Sequence, residues 1–269
     1  MRNPRAAALA IRKAAQEGSA AAQVIYGQLL LNERSVACDP DAALLWFERA
    51  AAQGDAEGWN MAGRCHEKGW GIPSDYSRAA VHFEEAARRG HLWGKVNLAQ
   101  ILMRLGDPGD RPRAFALFKE AADRGHLKAM NSLARCYEEG WGTAPDPRRA
   151  VDTYKQAAAR GDHWAQFNMA TLLMHAGEAH AARLLVRQAL LRSDDGFRRR
   201  VAALLVESDD EVLREIGYAA LSLCDARANT PDLVPDAQER LRHARKQRGP
   251  AGFPHVGCKS TAGATRHTG

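Results

Sequence analysis

The sequence predicts an all-α fold: an α-solenoid of antiparallel helix pairs closed by a C-terminal helical cap. Three observations carry the prediction. Gly18, Gly54, Gly90, Gly125 and Gly161 recur at intervals of 36, 36, 35 and 36 residues. Each of the last four follows the same upstream series of aspartate, alanine, aromatic and paired alanines. Between these markers the apolar residues keep the three-and-four spacing of one helical face. A unit this short cannot bury its apolar face alone and must stack on copies of itself.

Taken in order, an aspartate stands fifteen residues before the marker glycine (Asp39, Asp75, Asp110, Asp146) and an alanine eleven before it (Ala43, Ala79, Ala114, Ala150). An aromatic follows seven before it (Phe47, Phe83, Phe118, Tyr154), then the pairs Ala50-Ala51, Ala86-Ala87, Ala121-Ala122 and Ala157-Ala158. Before Gly18 only Ala14-Ala15 remains of this set. Aspartate suits an N-cap and glycine a left-handed stop, so each series reads as one helix, the A helix. A B helix follows each glycine, over roughly 20–32, 55–68, 91–105, 126–139 and 162–175. Gly27, Gly63, Ala99, Ala134 and Ala170 all lie nine residues after the marker, and small side chains there allow close helix–helix approach.

A longer period overlies the short one. A shift of 71 residues places Gly69-Trp70-Gly71 on Gly140-Trp141-Gly142, Cys65 on Cys136, Trp93 on Trp164, Asn97 on Asn168 and Gly106 on Gly177. The building block is a pair of unlike repeats, duplicated. After Gly177 the pattern decays. Ala182 to Leu191 still reads as an A helix, but Ser193 replaces the glycine and no aspartate caps it. Phe197–Val206 and Asp210–Leu223 read as two further helices covering the open end. Residues 1–225 therefore form the solenoid with its cap, and residues 226–269 a basic, mostly disordered tail in which Pro235 to Arg248 form a short basic helix.

Charge follows the same division. Residues 1–225 hold 30 Lys+Arg against 29 Asp+Glu, whereas residues 226–269 hold 8 against 3. The high pI belongs to the tail and gives no reason to expect nucleic acid on the main domain. No apolar run approaches a membrane span. Arg12-Lys13 interrupts the one candidate apolar stretch near the start (Ala6 to Ile11), so no signal peptide is expected. The five cysteines, Cys38, Cys65, Cys136, Cys224 and Cys258, include no CxxC pair and are odd in number. Cys65 and Cys136 occupy matching places two repeats apart, too far to bond, and read as reduced thiols in a cytoplasmic protein.

The segments Gly69-Trp70-Gly71…Asp75…Ala79…Phe83…Ala86-Ala87…Gly90 and Gly140-Trp141-Gly142…Asp146…Ala150…Tyr154…Ala157-Ala158…Gly161 resemble the Sel1-like repeat, a cousin of the tetratricopeptide repeat. The resemblance covers roughly residues 5–195. It implies a right-handed superhelix of antiparallel helix pairs, used as an adaptor or scaffold for other proteins. The first and third repeats lack the family's G-x-G loop. The disulfide-bonded secreted branch of the family carries two spaced cysteines in each repeat; this chain does not, which argues against that branch and its cell-wall-type ligands.

Two groups of residues are candidates for partner binding. Trp70 and Trp141 each stand between two glycines, either as loop side chains folded onto the next repeat or as exposed aromatic anchors. Arginine recurs twelve residues before the marker glycine (Arg78, Arg113, Arg149) and one before it (Arg89, Arg124, Arg160). These positions fall within about 20° of each other around the A helix. Trp46 and His82, eight before the glycine, share that flank with Leu117 and Thr153. Such a strip reads either as a ligand-facing surface or as local electrostatics, through i,i+3 pairs Asp75–Arg78, Asp110–Arg113 and Asp146–Arg149 and through cations at helix C-termini.

His66-Glu67 opens like a zinc-protease helix motif but lacks the second histidine, so no metal is expected. His175 and His180 beside Gly177 read as polar surface. No phosphate loop, nucleophile grouping or paired-carboxylate cleft gives an enzyme reading a footing, and no cofactor is expected. The sequence points to a non-enzymatic protein-interaction scaffold, bacterial and cytoplasmic, gripping a peptide or helix along its A helices. The alternative is a regulator touching nucleic acid or an anionic membrane through the tail arginines Arg240, Arg242, Arg245 and Arg248 with Lys246. A hydrolase acting on cell-wall material would rest on family analogy alone.

Overall fold

In the computed structural model, which describes residues 4–32, 36–107 and 109–227, the chain is an all-α repeat fold. Thirteen helices occur among the described residues. The A helices are α1 (Pro4–Gln16), α3 (Pro40–Ala52), α5 (Tyr76–Arg88), α7 (Asp110–Asp123) and α9 (Pro147–Ala159). The B helices are α2 (Ala20–Leu30), α4 (Ala56–Lys68), α6 (Leu92–Leu105), α8 (Leu127–Glu139) and α10 (His163–His175). The chain continues through α11 (Ala179–Arg192), α12 (Asp195–Leu205) and α13 (Glu211–Arg227). The tail expected from residue 226 onward, with its basic helix and Cys258, lies outside the described residues beyond Arg227.

One two-residue corner turns every A helix into its B helix. Gly54 adopts a left-handed φ of 88°. Its N–H donates to the Ala51 carbonyl (2.8 Å), and the N–H of Asp55 donates to the Ala50 carbonyl (3.1 Å). The paired alanines thus supply the two carbonyls of a Schellman stop. Asp55 then caps the B helix, its carboxylate accepting from the Gly58 N–H at 2.7 Å. The same bonds recur at Gly90-His91, Gly125-His126 and Gly161-Asp162. His91 and His126 cap through Nδ1, accepting from Gly94 and Ala129.

At the start of the A helices, Asp39, Asp75 and Asp146 accept from the N–H groups of Ala42, Arg78 and Arg149, as the sequence predicts. Asp110 departs from this. It lies inside the first turn of α7, whose cap is Gly109 with no side-chain bond. Asp107 has taken over the turn, its carboxylate accepting from Gly109 and its carbonyl from Asp110.

The chain divides into two compact units at Ala150/Val151. In the first unit, successive B helices pack on one another, α2 on α4 and α4 on α6. Phe47 and Phe83 each seat on the glycine of the preceding B helix. A Cβ added to Gly27 would lie 2.6 Å from the Phe47 ring, and one added to Gly63 would lie 2.7 Å from the Phe83 ring. Those gaps are already filled by aromatic carbon, so the ring and the helix backbone are in direct contact. The G-x-G loops act as clasps. From the end of α4, Gly71 folds back onto the start of α3, where an added Cβ would come 2.5 Å from the Pro40 carbonyl oxygen. From the end of α8, Gly142 meets the Arg111 carbonyl at the start of α7 in the same way.

In the second unit the core gathers Phe167, Val186, Phe197, Val201, Leu205 and Leu213. Here α11 ends without a glycine, at an extended Ser193. Buried Arg198 satisfies the helix-end carbonyls instead, donating to those of Leu190 at 2.9 Å and of Ser193, and it also pairs with the Asp195 carboxylate. Arg183 of α11 reaches Asp210, the N-cap of α13, at 2.6 Å. Burial alone would raise that carboxyl, but the bonds from Arg183 and the Leu213 N–H outweigh it and hold Asp210 below its ordinary range.

The packing assigns opposite costs to two A-helix positions. Phe118 is buried and Leu45 exposed. Phe118→Ala should lose about 3–5 kcal/mol through a cavity between stacked helices. Leu45→Ala should lose less than about 1 kcal/mol. Urea titrations of the two variants check the assignment, and equal losses would refute it.

Candidate functional site

The two loop tryptophans are built alike. The N–H of Trp70 closes α4 by donating to the Cys65 carbonyl, and Trp141 does the same to Cys136, both at 3.0 Å. Gly69 and Gly140, left-handed at φ 74° and 70°, aim each loop back toward its repeat. Both side chains are half-buried. Trp70 packs on the core cluster of α2–α4 together with Trp46 and Ile72, and Trp141 on that of α5–α8. An arginine from the same B helix lies over each ring, Arg64 at 5.2 Å from Trp70 and Arg135 at 4.8 Å from Trp141. These arginines are themselves 71 residues apart, so the duplication carries the whole arginine–tryptophan pair.

The arginine strip resolves into unlike members. Arg78 and Arg149 pair with Asp75 and Asp146 at 3.6 and 3.3 Å, one turn away. Arg149 also lies 5.8 Å over the Tyr137 ring. Arg113 does not pair with Asp110 but bridges to Glu84 of the preceding A helix, because α7 starts at Asp110 rather than after it. Arg89 pairs with Glu85 and covers the Trp59 ring at 5.3 Å. Arg124 donates to the Gly90 carbonyl of the preceding corner at 3.2 Å. Arg160, in the second unit, is exposed. Exposed pairs of this kind contribute at most about 1 kcal/mol each.

The flank position eight before the glycine faces the preceding B helix rather than solvent. Trp46 meets Tyr26 edge-on at 5.6 Å, with Arg49 over its ring. His82 stacks on His66 at 4.8 Å and leans on Trp59 at 5.4 Å. Trp59 Nε1 and the Nδ1 atoms of His66 and His82 are buried with no hydrogen-bond partner among the described residues. Burial, with His66 and Arg78 adding to it, pushes the His82 imidazole down to about 4. Burial lowers His66 as well. The structure thus joins Arg78, His82 and Arg89 to Trp59 and His66, which spacing along the A helix did not reveal. Their signal lay in the neighbouring B helix, where Trp59 and His66 stand seven apart on one stripe.

Among the described residues no three His, Cys, Asp or Glu side chains gather as a metal site requires, and no helix is long and apolar enough to cross a membrane.

The Sel1 repeat model matches residues 20–55, 59–91, 96–126 and 127–162, half of the chain. The chain belongs to the Sel1 repeat family. Each matched segment takes a B helix with the A helix after it, and the family is in general one of protein-interaction modules. Solved Sel1 repeat structures share the fold. A Sel1 repeat protein from Oxalobacter formigenes is 21% identical, with a TM-score of 0.60 over 83% of this chain and 99% of that one. The protective antigen c5321 of uropathogenic Escherichia coli, with an SLR fold, is also 21% identical with a TM-score of 0.60. It aligns with 90% of this chain, which spans only 53% of that protein. The immunity protein Pa5087 from Pseudomonas aeruginosa is 16% identical, with a TM-score of 0.53 over 80% of this chain and 86% of that one. At these identities the likeness establishes the fold alone. No curated protein matches the chain at a significant level.

Two outcomes follow for this Sel1 repeat array. Because the folded His82 value lies below the ordinary 6.5, its contribution is whole above pH 6.5 and is lost as pH falls toward about 4. The unfolding free energy from urea titration should therefore drop between pH 7 and pH 5, by about 1 kcal/mol after allowance for partial solvent screening. His82→Phe should flatten that slope; an unchanged slope would show that the stacked pair is not the cause. Burial also pushes the Cys65 and Cys136 thiols up to about 12. In the native protein a thiol reagent should label exposed Cys38 and spare these two until urea unfolds the chain.

Proposed function

We propose that the chain is a non-enzymatic scaffold, bacterial and cytoplasmic, that binds a peptide or helix of a partner protein on the surface of its repeats. The observation that carries this reading is the duplicated arginine–tryptophan pair, Arg64 with Trp70 and Arg135 with Trp141. Each ring is half-buried in a glycine-flanked loop and already positioned by a core contact and a cation, so little side-chain freedom remains to be lost on binding. Trp70 and Trp141 serve as anchors. Arg78, Arg113 and Arg149, with Arg89 and Arg124, supply a rim that steers an acidic partner, and Trp46 and His82 line the wall behind it.

The roles separate kinetically. Partners recovered with the full chain and with a form ending at Asn229 first exclude binding through the basic tail. Against such a partner, Trp141→Ala should mainly speed dissociation and cost about 2 kcal/mol or more. Arg149→Ala should slow association and weaken its salt dependence with modest loss of affinity. Melting curves run beside the kinetics decide the alternative. Unchanged binding in both variants, with Trp141→Ala strongly destabilised, would make these residues structural.

A further inference from the structure

One stripe of α6 carries polar groups that the fold does not use. Trp93, Asn97 and Gln100 follow one another at four and three residues and so share one side of the helix. Trp93 is 49% exposed, its ring edge-on to His126 at 4.4 Å, with the Lys128 ammonium 5.6 Å from the ring centroid. Asn97 is half-buried and donates one N–H to Oδ1 of Asn60 in α4 at 2.9 Å. Its own carbonyl oxygen and second N–H have no partner among the described residues, and the half-buried Gln100 amide makes no side-chain hydrogen bond there.

The Asn60–Asn97 bond and the pair Glu57–His91 (2.7 Å) set α4 and α6 side by side and in step. Four residues beyond Asn60 stands Arg64, and seven beyond Asn97 stands Arg104. Neither guanidinium is ion-paired among the described residues. Arg64 lies over the Trp70 ring, and Arg104 lies over the Tyr76 ring at 5.0 Å and donates to its hydroxyl at 2.9 Å. The acids along these stripes are engaged, Glu57 with His91 and Asn60 and Glu67 with Lys68, and α6 contains none. Asp107, past the end of α6, holds its own turn through Gly109. Gln100 is thus nearly level with Arg64 on the neighbouring helix and one turn before Arg104, between two uncompensated positive charges.

We infer that this face binds an extended, acidic peptide segment of a partner protein. Asn97 and Gln100 pair with its main chain, Arg64 and Arg104 take a carboxylate, and Trp93 receives an apolar side chain. Hydrogen-bond chemistry selects the occupant. An amide side chain offers acceptor and donors together, the complement of a peptide group. A helix has already spent those groups on itself, so only an extended chain can use them. Two guanidiniums on helices that stand on the order of 10 Å apart can converge on one carboxylate. A nucleic acid fits less well, because Glu57 and Glu67 border the face and would repel a row of phosphates.

The inference rests on the scaffold reading and narrows it to the α4–α6 face. The probe is a bead library of random octapeptides screened with the fluorescently labelled full chain. Enriched peptides should be acidic, and their consensus should bind more weakly as salt is raised. Gln100→Glu keeps the side-chain shape, breaks no bond of the free protein and sets a negative charge between the two arginines. It should weaken the consensus peptide about tenfold, with a melting curve no lower than the parent's. Arg104→Gln should weaken it to a similar extent. Methylating the main-chain nitrogens of the peptide one at a time should abolish binding at one position or more, which contacts to side chains alone would not do. Binding indifferent to Gln100→Glu, or tolerant of methylation at every position, would overturn the inference, as would tighter binding of a single-stranded oligonucleotide. If no peptide is enriched, or only neutral and basic ones, the inference also falls, while the scaffold reading stands or falls on the Trp141→Ala and Arg149→Ala kinetics.

Discussion

The array depends on one contact: the ring of an A-helix aromatic set directly against a B-helix position that has almost no side chain. Phe47 on Gly27 and Phe83 on Gly63 leave no room for a single added carbon. That contact sets how near successive helices stand, and the rest of the packing follows from it. The paired alanines three and four residues after each aromatic keep the end of the A helix slim enough for the B helix to return beside it. Where Ala99, Ala134 and Ala170 replace the glycine, the position is still buried and small.

The second constraint is economy at the corners. A single residue such as Asp55 or His91 ends one helix with its backbone N–H and starts the next with its side chain. A corner that short leaves the A-to-B turn no slack, so length varies elsewhere. The B-to-A connections absorb it, as the differing loops after α4, α6 and α8 show. Histidine in this role needs a neutral Nδ1, which ties two corners to the protonation state of a ring.

The sequence disclosed what local chemistry controls. Glycines that must be left-handed, aspartates that cap, and aromatics at fixed offsets located the five B helices to within about two residues. It disclosed less where long side chains choose partners across helices. Asp110–Arg113 looked like its neighbours' pairs, yet Arg113 turned to Glu84 once the loop before α7 moved the helix start by one residue. The stack of Trp59, His66 and His82 joins two helices; the seven-residue spacing of Trp59 and His66 marks one stripe of α4, but nothing in it says that His82 of α5 is the partner. Arg198 shows the same limit: Ser193 marked a missing glycine, but nothing nearby said that a buried guanidinium would close the helix end.

The clasps at Gly71 and Gly142 close only every second hairpin. The pair α3–α4 and the pair α7–α8 are pinned at their open ends by backbone contact, whereas α5–α6 is joined there by side chains, Arg104 donating to the Tyr76 hydroxyl at 2.9 Å with its guanidinium over that ring. Local opening is cheapest where the fewest contacts must break. A side-chain bond gives way more readily than a backbone packed without room for a single carbon, so the hairpins of the first unit are not held alike. A denaturant therefore meets, at the Tyr76–Arg104 end of α5–α6, a joint that side-chain rotation alone can release.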